Sequence, residues 1–156
     1  MSLSDAFPKE IVGDYVRRQL LPGTVIKLRQ VMDDGKVHEK RFIVLHVSND
    51  TFTCVINSEL TGLQQRSDDL RRCQVSMPQV SHPFMRWDSH VDCSRIRRYH
   101  TQEVCDQIAA DTTSILGTIS PALREEITSA LKFSRTNAPA DVQVCVDSLA
   151  TVSSRT

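Results

Sequence analysis

The sequence predicts a single α+β domain: a small, strongly curved sheet or barrel closed by helices. Three observations lead there. Short runs rich in β-branched and aromatic residues follow one another from Thr24 to Asn57, separated by polar turns. Helical periodicity takes over after His100. The chain of 156 residues, 40% apolar and 24% charged, has the length and mixture of one globular core.

In chain order, Asp5 is a candidate cap for a first helix that runs through Pro8 to about Leu20. Ile11, Val12, Tyr15, Val16 and Leu20 form its apolar stripe, and Pro22-Gly23 ends it. Thr24 to Arg29 reads as a strand. Asp33-Asp34-Gly35-Lys36 reads as a hairpin turn, because Asp-Gly tolerates the positive φ such turns need. Lys40 to Val47 is predicted as a second, largely buried strand, Ser48-Asn49-Asp50 as a turn, and Thr51 to Asn57 as a third strand. Residues 58–74 are polar and fit a long surface loop with one helical turn. Gln74 to Met77 and Val91 to Ile96 are further strand candidates around the Pro78 and Pro83 loop.

A helix is expected from Thr101 to about Asp111, then a short strand or connector at Ser114 to Ile119. Ser120 is a good N-cap, with Pro121 at the first helical position, and Leu123, Ile127, Ala130 and Leu131 recur at helical spacing. A last helix is read from Ala138 to Leu149, with a frayed tail over Thr151 to Thr156.

Nineteen basic and nineteen acidic residues cancel, which argues against a general nucleic-acid coating surface but leaves room for a local basic cleft. Five scattered cysteines without a Cys-x-x-Cys pair point to reduced, partly buried thiols rather than a disulfide scaffold or zinc site. The apolar runs are too short to span a bilayer, and Met1 to Asp5 lacks the pattern of a secretory signal, so a cytoplasmic protein is expected. The histidines show no ligand spacing; neither a metal nor another cofactor is expected.

The densest polar stretch is Ser89 to His100, with Asp92, Arg95, Arg97, Arg98, His90 and His100 within twelve residues. A carboxylate, imidazoles and guanidinium groups placed together suit the handling of a phosphodiester; they equally suit a solvated strand edge. Asp88, in the adjacent loop, is read as a turn former rather than an acid. Trp87 and Phe84 can stack bases beside the basic cluster or pack over the barrel mouth.

The order of these elements resembles that of PemK/MazF-like toxins. Pro22-Gly23-Thr24-Val25-Ile26 followed by Lys40-Arg41-Phe42-Ile43-Val44-Leu45 is similar to the family's opening turn and strands. Val91-Asp92-Cys93-Ser94-Arg95-Ile96 resembles its later acidic strand, and Leu116-Gly117-Thr118-Ile119-Ser120 its closing turn before the terminal helix. The resemblance covers residues 22–134, leaving 1–21 as an N-terminal helical extension and 135–156 as a C-terminal one. It implies an SH3-like barrel, a homodimer, metal-independent cleavage of single-stranded RNA, and control by an antitoxin protein.

Metal-free RNA cleavage needs a base for the 2′-hydroxyl, cations for the charge on the phosphorane, and an acid for the leaving 5′-oxygen. On the resemblance, Arg41 holds the phosphate, Asp92 is the base or orients it, and Arg95 assists with charge. His90 takes the place of a family arginine, and Asn57 and Ser58 hydrogen-bond the substrate. Phe42 stands where the family usually has proline, and Asn57-Ser58 where it has a Thr/Ser pair. These departures favour the alternative, a non-catalytic barrel of the same fold that binds protein or nucleic acid.

Overall fold

A computed structural model describes residues 9–153, arranged as a seven-stranded antiparallel sheet with helices against both faces. Helix α1 (Lys9–Gln19) precedes β1 (Thr24–Val31), β2 (Val37–Val47) and β3 (Asp50–Asn57). Two short helices, α2 (Gly62–Arg66) and α3 (Asp68–Arg72), lead to β4 (Gln74–Met77). Then come β5 (Ser89–Asp92), β6 (Arg97–His100), α4 (Thr101–Ala110), β7 (Ile115–Thr118), α5 (Pro121–Phe133) and α6 (Pro139–Ser153). Asp5 and Pro8, expected to open the first helix, lie outside the described residues, as does the end of the expected frayed tail.

The local signals act where they were read. Gly35 takes φ +77° in the β1–β2 hairpin, and Gly23 takes φ +92° after α1, both in the region glycine occupies without a Cβ clash. Ser120 caps α5 by accepting from Leu123 N–H at 3.2 Å, with Pro121 next to it. Segment 58–74 is more ordered than a loop with one turn: Thr61 and Gln64 form a reciprocal capping box, and Ser67 caps the next helix.

The sheet order is β4-β5-β3-β2-β1-β7, with β6 also on β3. The hydrogen-bonded order is open, with β4 and β7 at its ends, so the strands do not close a complete barrel ladder. Because side chains alternate along a strand, β2 sends Ile43 and Leu45 to one face and Phe42 and Val44 to the other. On the first face they meet Val25, Cys54, Ile56 and Met77 under α5 and α6, whose Leu123, Ile127, Leu131 and Leu149 are buried there. The second face packs Ile26, Leu28 and Val55 against α1 and α4 through Val12, Val16, Leu20, Val104 and Ile108. The stripe expected on α1 is narrower than read, since Ile11 and Tyr15 are exposed. All five cysteines are free and buried.

The strand expected over Val91–Ile96 is displaced. Residues 89–100 run antiparallel along one edge of β3 in two pieces: β5 pairs Val91 with Ile56, and β6 pairs Arg97 with Thr53. Between them Cys54 and Val55 face the five residues 92–96, which bulge away from β3, while Asp92 keeps its pairing with Gln74 of β4. Asp92 causes the departure: its Oδ1 accepts Ser94 N–H at 3.0 Å and Ser94 Oγ–H at 2.5 Å, offering the backbone a turn in place of a ladder. Asn137, in the α5–α6 connection, clamps the bulge by donating to Cys93 O at 2.9 Å and accepting from Ile96 N–H at 2.8 Å.

Candidate functional site

Register decides which of the sequence-derived site residues meet. Arg41 pairs with Ile56, which places it on the α5–α6 face; Asn57 pairs with His90 on the opposite face. Arg41 and Ser58 therefore line one groove of about 230 Å³. Asn57 and Asp92 line a different cleft, of about 290 Å³. Lys40 borders both, its Nζ donating to Asn57 Oδ1 at 3.0 Å.

The Arg41 groove is basic. Lys27, Lys40 and Arg86 line it with Arg41, against the single carboxylate of Glu39. Glu39 Oε1 lies 3.7 Å from Lys27 Nζ, and both are partly or largely solvated. Arg41 Nη1 has only the Met85 thioether as acceptor, at 3.5 Å, and neither Arg41 nor Arg86 forms an ion pair among the described residues. Burial, then the like charge of Arg86, holds the Arg41 guanidinium below its ordinary pKa, against the opposing pull of Glu39. Two guanidinium groups near each other, with Glu39 as the one carboxylate in the groove and held by Lys27, are under-compensated, and their planar forks match phosphate oxygens. Trp87, 54% exposed, stands at the edge of the same groove.

The loop carrying Met85, Arg86 and Trp87 is held from beneath. His82 is 1% exposed; its Nδ1 bonds Pro78 O at 3.0 Å and its Nε2 accepts Ser120 N–H at 3.1 Å. These two bonds fix the neutral tautomer with the proton on Nδ1. The His82 ring meets Phe84 edge-on, and Phe84 lies over Gly117 so closely that a Cβ there would come within 2.5 Å of the ring. Gln79 N–H donates to Asp88 Oδ1 at 2.9 Å, the turn role expected of Asp88. Phe84 therefore packs beneath the loop, while Trp87 faces solvent.

The other expected residues stand apart from Arg41. Asp92 is 8% exposed, and its Oδ1 takes Gln74 Nε2–H at 2.9 Å in addition to both Ser94 donors. Three donors occupy that oxygen, so its local work is to hold the bulge. His90 is half-buried on β5 and lines neither cavity. Arg95 is an exposed partner of Asp33, at 2.7 Å. Arg86 and Glu39 were not read from the sequence. Glu39, two residues before Arg41 on a strand, carried a signal in its spacing; Arg86, in an irregular loop, carried none beyond its neighbour Trp87.

No cluster of three or more His, Cys, Asp or Glu side chains suited to a metal occurs among the described residues. No helix among them is long and apolar enough to cross a membrane. No protein-family model matches this chain, and no curated protein matches it.

Proposed function

We propose that this chain is a PemK/MazF-like protein that takes single-stranded RNA into the Arg41 groove and cleaves it without a metal ion. The observation that carries the reading is the Arg41–Arg86 pair: two guanidinium groups with no ion pair among the described residues, beside an exposed tryptophan. A phosphodiester supplies the missing charge, and a splayed base supplies a face for Trp87. An SH3-like barrel belongs to this reading; it is supported by the antiparallel order of the strands and by α5, whose Leu123, Ile127 and Leu131 share a core with Val75 and Met77 of β4.

The chemistry then rests on groove residues. Glu39 takes the 2′-hydroxyl proton, and the 2′-oxygen attacks phosphorus. Arg41 and Arg86 hold the phosphorane oxygens. The bond to the 5′-oxygen breaks, and Lys40 protonates it; burial, then the charge of Arg97, loosens the Lys40 proton. Asp92 and His90 leave the catalytic set. An antitoxin segment rich in carboxylates fits the same groove, and a homodimer is the expected assembly of this family type.

A second reading, RNA binding without cleavage, is favoured by the Lys27–Glu39 contact, which holds the only groove carboxylate. End-labelled single-stranded RNA incubated with the chain in excess chelator separates the two. Cleavage to a 2′,3′-cyclic phosphate end, lost in Arg41→Ala, supports the nuclease. Retention without cleavage, also lost in Arg41→Ala, supports binding alone. RNA that is neither bound nor cut refutes both.

A further inference from the structure

The cleft on the far side of Lys40 contains a second pair of cations, of which Arg97 has one long ion pair, to an Asp33 shared with Arg95, and Lys40 has none among the described residues. Arg97, at the start of β6, has a side chain only 10% exposed, and its Nε is buried without a hydrogen-bond partner. Its Nη2 reaches Asp33 at 3.3 and 3.4 Å, and the Tyr99 hydroxyl is its other neighbour. Those Asp33 contacts are long for a charge-assisted bond, whereas Arg95 holds the same Asp33 Oδ1 at 2.7 Å. Lys40 has the neutral Asn57 amide as its acceptor and forms no ion pair among the described residues. The remaining acids of the cleft are engaged: Asp34 with His38 at 2.7 Å, and Asp92 Oδ1 with Gln74 and Ser94.

We propose that this cleft is a phosphate-binding site formed by Arg97 and Lys40. Phosphate replaces Asp33 on Arg97 and takes the Nε–Nη2 edge as a bidentate fork, the geometry a buried guanidinium edge offers to a tetrahedral anion. Asp33 stays with Arg95 on the exposed hairpin turn and so acts as a built-in competitor. Lys40 supplies the second charge from the cleft wall. The volume of about 290 Å³ leaves space around the phosphate for the group that carries it. That group is either a mononucleotide or the next residue of a strand that crosses the Lys40–Asn57 bridge from the Arg41 groove. The phosphate site itself does not depend on the RNA reading of that groove.

The test follows the Nε–H resonance of Arg97 by heteronuclear NMR while the full chain is titrated with inorganic phosphate at constant ionic strength. A saturable shift is expected. Asp33→Asn, at an exposed turn that does not threaten the fold, should tighten binding about fivefold by removing the competitor. Arg97→Lys, which keeps the charge but not the fork, should weaken it about tenfold, read from the Lys40 resonance. A mononucleotide that shifts Arg97 equally in the Arg41→Ala chain identifies a free nucleotide as the source. An oligoribonucleotide without terminal phosphates that does so only with Arg41 intact identifies the strand. The proposal is overturned if none of the three probes shifts Arg97 saturably, or if Asp33→Asn leaves phosphate affinity unchanged.

Discussion

Replacing His82 with leucine isolates the support under the Arg41 groove. The side chain is nearly fully buried and bridges Pro78 O and Ser120 N–H at 3.0 and 3.1 Å. Leucine fills similar space, so the cavity contribution is small, but both backbone groups lose their partner. An unsatisfied buried group costs about 1–3 kcal/mol; because Pro78 and Ser120 are both only half-buried, the lower end applies to each, and the pair comes to about 2 kcal/mol. For a chain of this size each kcal/mol moves Tm by about 2–4 °C, so a fall of roughly 4–8 °C is expected. Thermal unfolding followed by circular dichroism measures the shift, and urea unfolding the free energy. RNA retention should fall as well, because the same loop carries Arg86 and Trp87 into the groove. A loss below about 0.5 kcal/mol, the range of a neutral surface change, would show that His82 does not anchor this loop.

Asp92→Ala should destabilise the chain by about 1–3 kcal/mol in urea unfolding, since the Ser94 donors and Gln74 lose a buried acceptor. RNA retention at the Arg41 groove should survive it; loss of retention in a chain that remains folded would return Asp92 to the site. Gly117→Ala brings a Cβ within 2.5 Å of the Phe84 ring and should cost about 1–3 kcal/mol by overpacking, read as a lower urea midpoint. His46 bonds Ser148 on α6, and burial holds its pKa below 6.5. The unfolded chain therefore binds that proton more readily, so this contribution is complete above pH 6.5 and is lost as pH falls through the lower folded value. His46→Gln should flatten the stability profile in that window.

Much of the fold was legible because local chemistry and packing agree. The Asp33–Lys36 hairpin and the Ser120-Pro121 helix start each carry a residue whose conformation the fold needs, and the Gln74–Met77 strand alternates in burial. The Val91–Ile96 strand failed for an equally local reason: Asp-Cys-Ser is a turn-forming sequence, and an Asp side chain bonding two residues on competes with the ladder. β6 was missed because Arg97 to His100 has no apolar alternation; it survives as a strand by pairing with β3, with Arg98 lying over Phe52. The site was split because Asn57, the last residue of β3, and Ser58, just beyond it, line different cavities. Arg86 belongs to an irregular loop whose position is set by His82 and Phe84, contacts that no local pattern encodes.

Zero net charge and an Arg41–Arg86 pair without ion pairs of its own among the described residues are compatible because most acids are engaged away from that groove. Asp33 serves Arg95 and Arg97, Asp50 serves Arg98, and Asp68 serves Arg71. This distribution predicts an association with little long-range steering, governed by contacts inside the groove. Lys40, Arg41 and Arg86 are its cations without an ion pair among the described residues, while Lys27 is offset by Glu39. Three phosphate neutralisations on single-stranded RNA correspond to a slope of log K against log salt of about −2, and Arg41→Ala should reduce its magnitude by about 0.7. Fluorescence anisotropy with a labelled oligoribonucleotide between low and moderate salt measures both. A slope near zero would mean that bases, not phosphates, hold the RNA. An unchanged slope in Arg41→Ala would place the phosphate away from Arg41 and overturn the assignment of this groove.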